Sequence, residues 1–233
     1  MNLQSFVDSW PGADASEVEA VLWASSGKGR THDDVITRRW YESLDRGVPA
    51  FDIYDDPAYA PYVWAAWKLQ SSYRVNRLRR LHELGQFRDV GSVVDLGCGV
   101  GYSTLALAAI WNVKPVGTNL EGVQAQIARS LGVTVVPEPV PADLVLASEY
   151  FEHFEHPVEH LEQVLTLAGP RYLITGNAFG ARSPGHFGLY GLNGRSVSGH
   201  VIAVAFGRFL RDRGWVRRRH PVVWNTGVWV RGQ

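Results

Sequence analysis

A chain of 233 residues, 45% apolar and 20% charged, can bury a substantial core and has the make-up of one globular α/β domain with additions. No apolar run reaches the ~18–20 residues of a membrane helix; the N-terminus lacks the basic start and apolar core of a secretory signal; and a single cysteine, Cys98, excludes an internal disulfide framework. The formal charge is zero, yet residues 1–170 hold 13 Lys+Arg against 22 Asp+Glu, while residues 171–233 hold ten arginines against one acid, Asp212.

Residues 1–60 read as an accessory N-terminal segment with some helix. Ser16 is placed to cap a short helix through Trp23, with Glu19 at the capping-box position. Ser25 to Gly29 reads as a loop, and its Gly27-Lys28 pair lacks the upstream glycine and following hydroxyl of a phosphate loop. A second helix is expected near Asp34 to Leu44. Phe51 to Pro57 is acidic, aromatic and turn-like, either a solvated loop or a source of metal-binding acids. From Tyr62 to Leu84 the stripe Val63, Trp67, Tyr73, Leu78 and Leu81 predicts a long helix ended by Gly85. Its arginines at 74, 77, 79 and 80 suit the negative end of the helix dipole.

The chain is organised around Val93 to Ala108. Val93-Val94 reads as a short buried strand ending in Asp95; Gly97, Gly99 and Gly101 follow at alternate positions, and an apolar helix runs through Leu105 and Leu107. Glycines without a Cβ let a ligand approach the backbone closely, at the start of a helix whose N–H groups are unpaired. The spacing differs from the dinucleotide fingerprint, whose third glycine stands three residues after the second. Further strands are expected at Val113 to Gly117, Val133 to Val136, Asp143 to Ala147 and Arg171 to Thr175, with a helix near Val123 to Leu131. Gly176 to Gly194 reads as a long glycine-rich loop bearing His186 and Tyr190. A helix over Val201 to Arg213 is followed by Trp215-Val216 and Gly227 to Val230. Alternating β and α segments argue one doubly wound domain, residues 61–233.

Asp-x-Gly-x-Gly-x-Gly resembles the first motif of class I S-adenosylmethionine-dependent methyltransferases. The resemblance covers roughly residues 62–233. It implies a Rossmann-like, mostly parallel seven-stranded sheet closed by a terminal antiparallel hairpin, and S-adenosylmethionine as cofactor. It assigns Asp95, Gly97, Gly99, Gly101, Asn119, Leu120 and Glu138 to cofactor binding. Asn119 stands where the family usually carries an acid for the ribose hydroxyls, with Glu121 two positions on as a substitute. Glu138 falls near the place of an acid against the adenine amino group. Only Pro137 to Ala142 separates the third and fourth strands, where many relatives have further helical turns.

Strand four runs into Ser148-Glu149-Tyr150-Phe151-Glu152-His153-Phe154-Glu155-His156-Pro157, at the carboxyl end of a strand, where ligands bind in open α/β sheets. Three readings stay open. Glu152, Glu155, His156 and His160 form a polar helix face; or His153 is a metal-free general base; or Glu149, Glu152 and His153 hold a divalent ion with His186. The third resembles metal-dependent small-RNA 2′-O-methyltransferases and ubiquinone-pathway O-methyltransferases, and Mg²⁺, Mn²⁺, Fe²⁺ and Zn²⁺ all suit that mixed ligand set. His153 and Glu152 are then the expected catalytic pair. The expectation is methyl transfer to oxygen on a small hydroxylated molecule or on a nucleotide or nucleic acid. The arginine-rich end is either a solvated face or a surface for an anionic acceptor. Rival readings are a noncatalytic S-adenosylmethionine-binding protein and a nucleic-acid-binding module. A cytoplasmic protein making no membrane contact is expected, and oligomeric state is left open.

Overall fold

The computed structural model describes residues 1–18, 35–67, 71–85, 87, 89–218 and 227–232. Its principal sheet contains β1 (Val93–Leu96), β2 (Val116–Thr118), β3 (Thr134–Val136), β4 (Leu144–Ser148), β5 (Tyr172–Gly176), β8 (Trp215–Arg218) and β9 (Gly227–Arg231), in the spatial order β3-β2-β1-β4-β5-β9-β8. The first five strands run parallel; β9 is antiparallel to both β5 and β8. This is the doubly wound sheet that the alternating β and α pattern predicts, with the terminal hairpin that the family resemblance implies. β1 is buried along its length, and β4 along all but its last residue. That two-sided burial is why both read as continuous apolar runs rather than alternating ones.

The chain winds outward from β1 to β2 and β3, then returns across β1 to begin β4. The carboxyl ends of β1 and β4 therefore flank a topological switch point, which opens the crevice described below. The covering helices are α1 (Leu3–Asp8), α2 (Val35–Asp45), α3 (Ala60–Ala65), α4 (Ser71–Glu83), α5 (Tyr102–Trp111), α6 (Val123–Ser130), α7 (Pro157–Ala168) and α8 (Gly199–Asp212). On one face of the sheet Trp40, Phe151, Phe206, Leu210 and Trp229 pack together. On the other, Leu78 and Leu81 of α4 meet Phe87, Leu107 and Trp111. A third cluster joins Phe6, Trp10 and Trp64 to Val100 and Ile127, fastening the N-terminal segment to the glycine turn and α6. No helix among the described residues is long and apolar enough to cross a membrane.

Several expectations are corrected. Asp14, not Ser16, caps the helical turn at 15–18: its Oδ1 accepts the N–H groups of Ser16 at 2.9 Å and Glu17 at 3.1 Å. An ionised carboxylate is the stronger acceptor for those orphan donors. Glu19, the rest of that helix and the Ser25–Gly29 loop lie outside the described residues, as do residues 68–70 of the long helix predicted over 62–84. Phe51 to Tyr59 is not an open loop but two short 3-10 turns, Phe51–Asp55 and Pro57–Tyr59, clamped by ion pairs from Arg39 to Asp52 and Asp56. The second strand begins three residues later than predicted, at Val116. The segment Gly176–Gly194 is not loop throughout: β6 (Tyr190–Leu192) pairs with β7 (Arg195–Val197). Asn193 and Gly194, both at positive φ (51° and 73°), make the tight turn between them, and the Asn-Gly pair is the sequence signal for it.

Candidate active site

The glycine turn leaves β1 beneath the cavity. Asp95, buried at the strand end, accepts hydrogen bonds from Ser103 Oγ at 2.6 Å and Thr104 Oγ1 at 2.8 Å, which tie the strand to the first turn of α5. Gly97 and Gly101 have φ of 61° and 81°; a Cβ would stand 2.7 Å from Tyr150 Cδ2 at the first and 2.6 Å from Val133 Cγ2 at the second. Both positions thus need glycine for backbone conformation and for close packing. The turn is also stitched to β2, through Cys98 N–H to the Thr118 carbonyl at 2.8 Å and Gly97 N–H to Thr118 Oγ1 at 3.1 Å. Burial and the charge of Asp95 push the Cys98 thiol up to about 12, so it is an inert packing group.

Of the residues assigned to the cofactor, Gly97, Gly99, Asn119, Leu120 and Glu138 line a cavity of about 740 Å³ at the switch point, whereas Asp95 and Gly101 support the turn from behind. Asn119 folds back on the turn: its Nδ2 donates to the Gly99 carbonyl at 2.9 Å and its Oδ1 accepts the Leu120 N–H at 3.0 Å. Glu121, the expected substitute acid, is held by Arg129, whose hydrogen bonds keep its carboxyl below the usual range. The remaining walls come from the N-terminal segment and from the stretch after β4.

That stretch turns sharply. Glu149 has φ 54° and donates its N–H to the Gly176 carbonyl at 2.6 Å, a left-handed backbone at a non-glycine residue beside the cavity. The short 3-10 turn Phe151–His153 then sends Glu152 inward, fully buried. Its Oε1 accepts the Ala178 N–H at 3.0 Å; its Oε2, also buried, has no hydrogen-bond partner. Burial, reinforced by the charge of Glu149, holds the Glu152 carboxyl well above the usual carboxylate range. His153 is pulled down to about 3 by burial and by the neighbouring His186, so it is neutral. His186 is lowered as well, burial outweighing the charge of Glu149 and the carbonyls of Ala181 and Ala178.

Glu152, His153 and His186 each offer one metal-ligating atom within 4.8 Å of the others. The two imidazoles meet edge to face, ring centres 4.8 Å apart. His186 Nδ1–H donates to the Ala181 carbonyl at 3.1 Å, which leaves the other nitrogen of a neutral ring as an acceptor. Two neutral imidazoles and a carboxylate with an orphaned buried oxygen fit a divalent cation. Three of the four residues expected around a metal are thus brought together, although His153 and His186 stand 33 positions apart with α7 and β5 between them. Glu149 stands beside them, exposed at the cavity wall, close enough for its charge to reach Glu152 and His186 but outside the trio.

Other residues here carry no sequence signal of their role. Tyr54 Oη and His153 Nδ1 share a hydrogen bond of 2.8 Å, and Trp40 Nε1–H donates to the His186 carbonyl at 2.7 Å. Asp55 Oδ1 accepts the Val123 N–H at 2.8 Å, capping α6 from 68 residues away. These partnerships are long-range, and no local spacing announces them. His160, expected on a polar helix face, instead turns inward: its Nε2 shares a 2.9 Å hydrogen bond with Tyr150 Oη, and Phe154 stacks on its ring at 3.6 Å. Glu155 and His156 keep the expected surface position, His156 lying 3.7 Å from Glu159.

A family model described as a methyltransferase domain matches residues 68–197. No curated protein matches the chain by sequence. Among solved structures, an O-methyltransferase family protein from Burkholderia thailandensis is 14% identical with a TM-score of 0.57, the match covering 94% of this chain and 85% of that one. The mitomycin 7-O-methyltransferase MmcR is 14% identical at a TM-score of 0.52, over 84% of this chain and 67% of that one. Magnesium protoporphyrin IX methyltransferase from Synechocystis PCC 6803, solved with bound S-adenosylmethionine, is 16% identical at 0.50, over 88% of this chain and all of that one. At such identities the likeness is one of fold.

Proposed function

The chain belongs to the methyltransferase-domain family and is an S-adenosylmethionine-dependent methyltransferase; from that premise we propose that it methylates a hydroxyl of a small acceptor, assisted by a divalent metal. The observation that carries this reading is one continuous cavity lined both by Gly97 and Gly99 of the glycine turn and by Glu149 and His153 of the stretch after β4. Gly97, Gly99, Asn119, Leu120 and Glu138 would hold the cofactor, which when bound supplies an electrophilic methyl on a sulfonium. Asp95 and Gly101 shape the turn that presents them. The 1–60 segment completes the site on a domain spanning residues 61–233, in a cytoplasmic protein whose one thiol is reduced.

Glu152, His153 and His186 would hold the metal, which when bound lowers the pKa of an acceptor hydroxyl. The chain's own contribution is orientation and control of protons. Tyr54 holds the His153 ring, the Ala181 carbonyl and Trp40 hold His186, and Glu152 Oε2 is the buried atom that takes either a cation or a proton. The walls supplied by Tyr54 and Phe154 help keep water from the reacting atoms, which favours in-line attack by positioning.

A small acceptor is supported over a polymer by where the C-terminal arginines go. Arg171 pairs with Asp143, and Arg213 pairs with Glu162 and lies over the Phe209 ring at 3.6 Å. Arg182 lies over Tyr41 at 4.5 Å and Arg217 over Trp229 at 5.8 Å. Arg219 lies outside the described residues. The test is calorimetric: S-adenosylmethionine should bind the natural chain, and Gly97→Val should abolish that binding. Mn²⁺ should bind the natural chain and fail to bind His186→Ala. A folded natural chain that binds no cofactor would contradict the proposal, and unchanged Mn²⁺ binding by the variant would remove the metal from it.

A further inference from the structure

The acceptor end of the cavity has a chemistry that methyl transfer itself does not require. Tyr54 reaches in from the N-terminal segment and Phe154 from the stretch after β4, while Tyr150 packs against Gly97 between the two ends. These rings are fixed. Tyr59 braces Tyr54 edge-on at 5.3 Å, His153 hydrogen-bonds it, and Phe154 lies flat on His160. Aromatic faces held in place favour a flat ring that can stack or meet them edge-on.

The charge is equally one-sided. Asp52 and Glu149 border this end, Asp55 caps α6 beside Glu121, Glu138 lies toward the glycine turn, and among the described residues no lysine or arginine lines the cavity. Arg39 and Arg129 pair with Asp52 and Glu121 from outside it, which reduces the acidity without offering a cation to a ligand within. A divalent ion at Glu152, His153 and His186 would be balanced by Glu152 and the neighbouring Glu149. An entering phosphate or carboxylate would therefore be desolvated among acids with no side-chain partner, which is costly. A neutral phenol avoids that penalty, and an ammonium group meets no lysine or arginine among the described lining residues.

Resting on the methyltransferase reading, we infer that the acceptor is a flat phenolic molecule, neutral or positively charged, and that the site refuses phosphorylated and carboxylated acceptors. The experiment titrates the full chain, saturated with S-adenosylhomocysteine and with Mg²⁺ present throughout, with dopamine, catechol and 3,4-dihydroxybenzoate. Dopamine and catechol bind, and the benzoate binds weaker than dopamine by at least about tenfold. Replacing Asp52 with Asn and Glu149 with Gln together narrows that gap, and Phe154→Ala weakens all three ligands. Benzoate binding as tight as that of dopamine overturns the inference. So does a protein that binds S-adenosylhomocysteine but none of the three probes. Failure to bind S-adenosylhomocysteine itself overturns the reading beneath, and the inference with it.

Discussion

Glu152 carries the most unusual chemistry of any single residue in the chain. A carboxyl with no exposed surface, one oxygen paired and the other orphaned, must hold a proton or a cation at neutral pH. Glu152→Gln keeps an oxygen to accept the Ala178 N–H and nearly the same volume, but cannot be an anionic ligand. The expected outcome is methyl transfer lowered by about 100-fold, in the range for lost metal-site partners, with S-adenosylhomocysteine affinity unchanged. Thermal stability should hold or rise, because the buried acid is gone. Parallel loss of cofactor affinity and folding would mark Glu152 as structural instead. The Glu-x-x-Glu-His spacing made Glu152 and His153 legible in the sequence. His186 was legible only through family resemblance, because its partners are set by a loop fold. Tyr54 and Trp40 were not legible, since nothing near either residue indicates a hydrogen bond to the His153 imidazole 99 positions away or to the His186 carbonyl 146 positions away.

Among elements, β1 and β4 were the easiest to read and also position the site. Both are short apolar runs buried on two faces, and they pair in register, Asp95 opposite Leu146. Their amino ends are joined by Asp143, whose Oδ2 accepts the N–H groups of Gly91 at 2.9 Å and Ser92 at 3.1 Å and the Ser92 hydroxyl at 3.1 Å. Burial raises the Asp143 pKa, but those hydrogen bonds and the charge of Arg171 outweigh it and leave the carboxyl below its usual value. A depressed folded-state pKa means stability present above the unfolded value, about 3.9, and lost as pH falls through the folded one. Asp143→Asn should therefore cost ~1–2 kcal/mol at pH 7, with a smaller difference from the natural chain at pH 3. Urea melts at the two pH values check this, and an equal loss at both would contradict it. The β6–β7 hairpin was missed although its Asn193-Gly194 turn is a standard signal. Its strands are only three residues each, and glycine-rich surroundings read as loop.

At the scale of the whole molecule, the doubly wound order places the glycine turn and the end of β4 on either side of one crevice, and the N-terminal segment closes it. Tyr54 ties that segment to His153, Asp55 ties it to α6, and the Tyr54 carbonyl accepts from Gln124 Nε2 at 3.2 Å. The glycine turn and the stretch after β4 thus line one enclosure. The doubly wound class was readable because helix and strand periods differ and parallel strands need crossovers. The enclosure was not, because it depends on how a segment without a recognisable motif packs over the sheet. The central claim is that the methyl-bearing sulfur of the cofactor faces the Glu152, His153 and His186 trio. A crystal structure of the chain with S-adenosylhomocysteine tests it most directly. The nucleoside should lie against Gly97, Gly99 and Leu120, with the sulfur directed toward His153 and Glu149. Density for the nucleoside elsewhere, or a sulfur pointing away from the trio, would contradict the account.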